Sequence, residues 1–153
     1  MNDKQRKAAT AFTVSALMLL SIAAHEGYRQ KAYQDVRGVW TVGYGETKGV
    51  TKDSSMTRLE AQERLSRSAA EHAKGMVQCI KVPISQGEFD AYSSFTYNIG
   101  VRAFCTSTLV KKLNQKDYDG ACKELLRWTQ AGGKVYPGLV KRRQQEYETC
   151  IGG

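Results

Sequence analysis

Seventeen consecutive residues, Ala8 to Ala24, carry no charge, and they follow directly on Lys4, Arg6 and Lys7. No other stretch constrains the fold as tightly, because so long an uncharged run must be covered by protein or by lipid. Phe12, Val14, Leu17, Met18, Leu19, Leu20 and Ile22 are its large apolar residues; the rest is Ala, Ser and Thr. A basic flank before an apolar run has the form of an export signal and predicts a cytoplasmic N-terminus. As one helix the run would extend ~26 Å, short of a ~30 Å hydrocarbon core. Its Ala, Ser and Thr content makes it a weak anchor. Three readings stand: a cleaved signal peptide with Ser21-Ile22-Ala23 at the cleavage site, a lasting signal anchor, or a buried helix of a water-soluble domain. Retention is expected over cleavage, since a cut after Ala23 would leave Glu26 three residues from a new terminus.

The rest of the 153-residue chain has the make-up of one folded domain, with 41% hydrophobic and 25% charged residues and only two prolines. A mean hydropathy of −0.49 excludes a polytopic membrane protein, and the composition excludes a disordered chain. The net charge of +8 points to polyanionic partners such as nucleic acid, anionic membrane or the bacterial wall. The chain has no zinc finger, RNP motif or basic helical run, which argues against nucleic acid. Residues 102–153 hold ten Lys/Arg against five Asp/Glu and supply most of the excess.

Cys79, Cys105, Cys122 and Cys150 form no CxxC, and His25 and His72 complete no zinc pattern, so no metal is expected. An even cysteine count behind an export-like segment predicts two disulfides. Of the three possible connectivities, Cys79–Cys105 with Cys122–Cys150 would staple neighbouring helices. Each would close a loop of under thirty residues, worth ~3–4 kcal/mol in the chain-entropy account.

From Gly27 to about Thr51 the pattern turns to aromatic and β-branched residues broken by glycines. Ala32-Tyr33 and Val39 to Val42 read as strands about an Asp35-Val36-Arg37-Gly38 turn. From Thr57 on, the chain reads as helices. Thr57 with Glu60 and Ser85 with Glu88 are capping boxes; Gly100 stops the second helix; Ser107 or Thr108 caps a short one. Asp117 caps another that holds Leu125, Leu126 and Trp128, Ala131-Gly132-Gly133 breaks it, and Pro137 opens the last. The expected fold is α+β and mainly helical: a small β-hairpin lobe at about 27–55, a larger helical lobe at about 57–150, and a cleft between them.

Glu26, Asp35 and Thr41 can meet at that cleft. Glu26 ends a helix beside the apolar run, Asp35 sits in the hairpin turn, and Thr41 lies on the return strand. Two carboxylates in unlike surroundings are what glycoside hydrolysis requires. One donates a proton to the leaving oxygen, and the other stays ionised and activates water. By position Glu26 is the better acid and Asp35 the better base. Trp40 and Trp128 read as core aromatics, His25 as a structural histidine and His72 as a surface helix residue.

The order Glu26, Asp35, Thr41 and the words around it resemble the phage lysozyme family of endolysin muramidases. His25-Glu26-Gly27 is followed by Lys31-Ala32-Tyr33 and by Gly38-Val39-Trp40-Thr41-Val42-Gly43-Tyr44-Gly45. Further on come Gln86 to Ala91, Ser94-Phe95-Thr96-Tyr97-Asn98-Ile99-Gly100, Phe104 to Leu109, Trp128 to Gly133 and Gly138 to Arg143. The resemblance runs from about residue 24 to the C-terminus. It implies a two-lobed lysozyme-like fold over 25–153 and cleavage of the β-1,4 bond between N-acetylmuramic acid and N-acetylglucosamine, with inversion and without any cofactor. Carried over, Glu26 is the general acid, Asp35 and Thr41 position and activate water, Tyr97 and Asn98 bind the glycan strand, and Arg142 and Arg143 lie near the active site as substrate-binding residues. Many relatives carry His where Glu46 stands.

Residues 1–24 resemble the segment of signal-anchor-release endolysins. Such a protein is a monomer held inactive at the inner membrane through residues 8–24, N-terminus inward, then released to the periplasm to lyse the host. Residues 1–26 contain no cysteine, which favours control by position and refolding over thiol exchange. Two other classes are distinguishable: a non-catalytic wall-binding protein of this fold, and a cationic membrane disruptor, whose killing would survive Glu26→Gln.

Overall fold

A computed structural model describes residues 4–153. The uncharged run does not form one helix. Lys7 pairs with Ile84 as an isolated β-bridge, Ala9–Ala11 make one 3-10 turn, and residues 12–15 form no regular element, with Phe12 and Ser15 extended. Only then does α1 (Ala16–Glu26) begin, where the Ser15 hydroxyl accepts the Met18 amide at 3.1 Å. Thr10, Thr13, Val14 and Ser15 are the physical reason: hydroxyl and β-branched side chains favour extended backbone and caps over helix interior. No helix of the described residues is long and apolar enough to cross a membrane.

The run packs on the helical body. Ile22 is fully buried, Met18 nearly so, and the Phe12 ring stacks on Phe89 at 5.2 Å. Leu17 and Leu20 point outward, 79% and 67% exposed. Upstream, Lys4 donates to the Cys150 carbonyl and Arg6 reaches Glu88.

Gly27, at φ 70°, turns the chain out of α1 into an antiparallel hairpin, β1 (Arg29–Gln34) and β2 (Trp40–Gly43). Gln34 pairs with Trp40 and Tyr33 with Thr41. The turn follows the expected residues, with Gly38 at φ 78° in the region that favours glycine. β1 is longer than its apolar residues suggested, because its ladder bonds do not depend on which side chains alternate.

Six helices follow: α2 (Arg58–Cys79), α3 (Gln86–Ile99), α4 (Val101–Cys105), α5 (Thr108–Asn114), α6 (Tyr118–Glu124) and α7 (Pro137–Gly152). Both capping boxes form, each with the hydroxyl and the glutamate satisfying opposite amides. Gly100 ends α3, Ser107 caps α5 and Asp117 caps α6. One expectation is corrected. α6 stops at Glu124, Leu125–Arg127 form a 3-10 turn and Trp128 lies beyond it. The Ala131-Gly132-Gly133 segment is the turn of a second small hairpin, β3 (Gln130–Ala131) with β4 (Lys134–Val135). Trp128 is withdrawn from the helix to set its ring edge-on against Phe95 at 5.3 Å.

The core centres on α3, whose Phe89, Tyr92 and Phe95 are fully buried. Cys79–Cys105 links α2 to α4, and Cys122–Cys150 links α6 to α7.

Candidate active site

Glu26 is the last residue of α1, so its carboxyl emerges where the helical body meets the β lobe. Oε1 accepts a 2.6 Å bond from Arg142 Nη1 of α7. On its other flank lies Gly45, in the loop after β2. A Cβ placed there would stand 3.0 Å from Glu26 Oε2, and the backbone is at φ 85°. Glycine is therefore required twice over, by conformation and by the approach of the carboxyl.

Asp35 is held by its own turn. Oδ1 accepts the Arg37 and Val39 amides at 2.8 and 3.0 Å, and Oδ2 meets the Arg37 guanidinium at 3.2 Å. Partial burial is the largest single influence on this carboxyl and acts upward. The amides of Val39 and Arg37 and the Arg37 charge together outweigh it and hold Asp35 below the ordinary aspartate range. Thr41 is 3% exposed and its hydroxyl donates to the Val39 carbonyl at 2.9 Å. Thr41 and Asp35 thus share one turn, tied through Val39.

Glu26 does not touch either: among the described residues no hydrogen bond or ion pair joins it to Asp35 or Thr41. Tyr33, the cross-strand partner of Thr41, lies between their fields. Burial pushes its hydroxyl up, and the charges of Glu26 and Asp35 add to that. One carboxyl is thus gripped by a guanidinium from the helical body and the other is fixed by hairpin amides.

The other expected residues are placed as follows. The Tyr97 hydroxyl donates to the Tyr44 carbonyl at 3.1 Å, and its ring lies 5.2 Å from that of His72. Burial, with Glu26 and Glu46 nearby, pushes its ionisation well up. Asn98 is exposed and its carbonyl oxygen accepts from Arg143 Nη2 at 2.7 Å. Arg142 and Arg143, expected beside the sugar, are inside the protein, 4% and 0% exposed. Arg142 is fully spent on Glu26, on the Ser94 carbonyl at 3.1 Å and on Glu146 at 3.3 Å. Arg143 lies over the Phe95 ring at 4.8 Å; its Nε is 2.8 Å from Glu146 Oε2 as an ion pair, and its Nη2 donates to Glu146 Oε1 at 3.4 Å. In this structure their contacts are with Glu26 and Asn98 rather than at an exposed surface.

Glu146 and Ser94 were not anticipated. Glu146 Oε1 accepts the Ser94 hydroxyl at 2.7 Å, and its carboxyl is 3% exposed. Burial pushes that carboxyl up against the pull of Arg143 and Arg142. The signal was present in outline, since Glu146 stands three and four residues from the arginines on one helix face. His25, beside Glu26, is pushed down to about 4 by burial and by the charges of Arg142, Arg143 and Lys141, so it is neutral at neutral pH.

A model of the phage lysozyme family matches residues 23–146. The chain is 43% identical over 137 residues to an endolysin of Acyrthosiphon pisum secondary endosymbiont phage 1, covering 87% of this chain and 94% of that one. It is 44% identical over 129 residues to a SAR-endolysin of Bacteriophage PS34, covering 84% and 77%. Among solved structures, the endolysin of Escherichia coli O157:H7 phage FAHEc1 superposes with a TM-score of 0.81 at 32% identity, covering 92% of this chain and 94% of that one. The muramidase domain of SpmX from Asticaccaulis excentricus gives 0.81 at 28% identity, covering 90% and 97%. Fold and relatives together define a glycoside hydrolase of the muramidase class. The chain belongs to the phage lysozyme family.

Proposed function

We propose that this chain is an endolysin that hydrolyses the β-1,4 bond between N-acetylmuramic acid and N-acetylglucosamine in peptidoglycan, with inversion. Glu26 protonates the leaving oxygen. Asp35 accepts a proton from water that it and Thr41 hold on the opposite side of the sugar ring. Tyr97 orders the cleft edge through its bond to Tyr44, and the Asn98 amide takes a sugar oxygen. Arg142 and Arg143 act from within, through Glu26 and Asn98. The observation that carries this reading is the Glu26–Arg142 contact at 2.6 Å. It fixes a carboxyl from residue 26 at the junction with the hairpin that bears Asp35.

The test is digestion of purified peptidoglycan, with the new sugar ends identified by mass spectrometry and Glu26→Gln run in parallel. Reducing ends in the parent, falling by ~10²–10⁴-fold in the folded variant, are expected for loss of a general acid. Anhydro ends would mean a transglycosylase, and wall binding without cleavage would mean a binding protein. Killing retained by Glu26→Gln would mean a membrane disruptor.

A second element of the proposal concerns residues 1–24, which we read as a segment held in the inner membrane before release, with 25–153 as the enzyme domain. The active species is a monomer in the periplasm. Two observations favour it. Leu17 and Leu20 of α1 stay exposed. A groove of about 410 Å³ also parts Phe12, Val14 and Leu19 from Ala70, Ala73 and Val77 of α2, so the run is covered incompletely. Leucine at the Ala, Ser and Thr positions of 8–24 should hold the protein in the membrane fraction. Normal release and lysis by such a variant would overturn the tether.

A further inference from the structure

Four ionisable side chains form one connected system, with Glu26 at its exposed end and Arg142, Arg143 and Glu146 buried. Arg142 bridges Glu26 at 2.6 Å and Glu146 at 3.3 Å. Arg143 pairs with Glu146 at 2.8 Å. Ser94 holds the same Glu146 oxygen that Arg142 touches. Two carboxyl groups thus meet two guanidiniums. An arginine does not give up its proton in a protein, so a carboxyl beside Arg142 alone would be driven to stay ionised. A general acid must do the reverse and carry a proton.

We propose that Glu146 is a positioning residue for the acid: from behind Arg142 it fixes that guanidinium against Glu26 and absorbs its charge, so that Glu26 can hold a proton beside a permanent cation. This rests on Glu26 being the acid. Glu146 touches no substrate; Arg142 and its own burial separate it from the cleft. The other titratable groups that feel Glu26 are Tyr33 on β1, Tyr97 on α3, and Arg142 and Arg143 on α7. Among the described residues Arg142 forms ion pairs with two carboxyls, Glu26 and Glu146. Ser94 completes the device by orienting the Glu146 carboxyl from α3, the helix against which α7 packs.

The experiment compares Glu146→Gln, Glu146→Asp and Ser94→Ala in the full chain. Peptidoglycan solubilisation is measured across pH, and the Glu26 carboxyl is titrated by ¹³C NMR. Glu146→Gln leaves the system with excess positive charge. The high-pH limb of the rate profile should move down by about one unit, a tenfold loss above the midpoint, and the Glu26 carboxyl midpoint should move with it. Glu146→Asp should restore part of the shift. Ser94→Ala should shift both readouts the same way by less, and it answers the question if Glu146→Gln does not fold. A folded Glu146→Gln or Ser94→Ala that loses rate equally at every pH, with an unmoved Glu26 titration, has a structural role only and overturns the proposal. The titration stands whether or not the wall is cleaved, so failure of the muramidase reading would show separately, as a parent chain that releases no sugar ends.

Discussion

The guanidinium of Arg6 meets the carboxylate of Glu88 at 2.8 Å, across 82 residues of sequence. Glu88 is fully buried, its other oxygen accepts the Ser85 amide at 2.8 Å, and Arg6 lies 3.6 Å from the centre of the Tyr118 ring. One basic residue upstream of the uncharged run thus neutralises the charge at the head of the central helix. Arg6→Ala would strand a buried carboxylate. Because Arg6 is itself partly exposed, the expected loss is about 2–3 kcal/mol, at or below the lower edge of the range for broken buried pairs. Glu88→Gln keeps an acceptor for Ser85 and removes the charge, so the double variant should recover much of that loss. Urea unfolding of the four proteins measures the coupling; additive losses would contradict the pairing.

Gly45 and Gly27 separate backbone strain from displacement of the acid. Both have positive φ, but a Cβ at Gly27 meets nothing within 4 Å, whereas one at Gly45 stands 3.0 Å from Glu26 Oε2. Alanine at either position should cost about 1–2 kcal/mol. Only Gly45→Ala should also lower wall hydrolysis, by about tenfold or more, measured where both variants are fully folded. Equal activity in the two would show that the Gly45 approach does not position Glu26.

His25 offers a pH readout. Its folded-state value lies at about 4, below the ordinary 6.5. The unfolded chain therefore takes up this proton more readily. The contribution to stability is complete above about pH 6.5 and declines as pH falls from there towards 4. An NMR titration should place the His25 midpoint near 4 in the folded protein, and urea should return it to the ordinary range. A folded midpoint above 6 would contradict the electropositive setting of α1's end.

Replacing Cys122 and Cys150 together with alanine frees α6 from α7 and should lower stability by about 3–4 kcal/mol, measured in urea. Since α7 also carries Arg142, Arg143 and Glu146, activity in the folded variant should fall at a lower temperature than in the parent. An unchanged unfolding midpoint would show that packing alone fixes α7.

What the sequence disclosed follows the range of the interaction. The capping boxes at Thr57 and Ser85, the Asp117 cap and the Pro137 start join residues at most a few positions apart, so their chemistry is written locally. The hairpin around Asp35 is legible for the same reason, and so were the family words around Glu26, Asp35 and Thr41. Arg142 and Glu26 are 116 residues apart, and nothing near either announces the other. The family resemblance alone placed Arg142 and Arg143 near the active site, as residues that touch the glycan, and their burial and the Glu26 contact come from the packing of α7. The uncharged run misled in a different way. Charge alone made it uniform, while its hydroxyl and β-branched residues divided it into a 3-10 turn, an irregular piece and a short helix.

Both disulfides lie between residues 79 and 150. From Lys4 through β2 the chain is held by non-covalent contacts, and that portion includes Glu26, Asp35 and Thr41; Arg142, which meets Glu26, is on the stapled side. Mechanically the protein has a soft half and a hard half, with its reacting groups divided between them. A force applied at the N-terminus would peel the acid away from its cation while the helical body kept its shape, and relaxing that force would let the two halves close again without a bond having been broken.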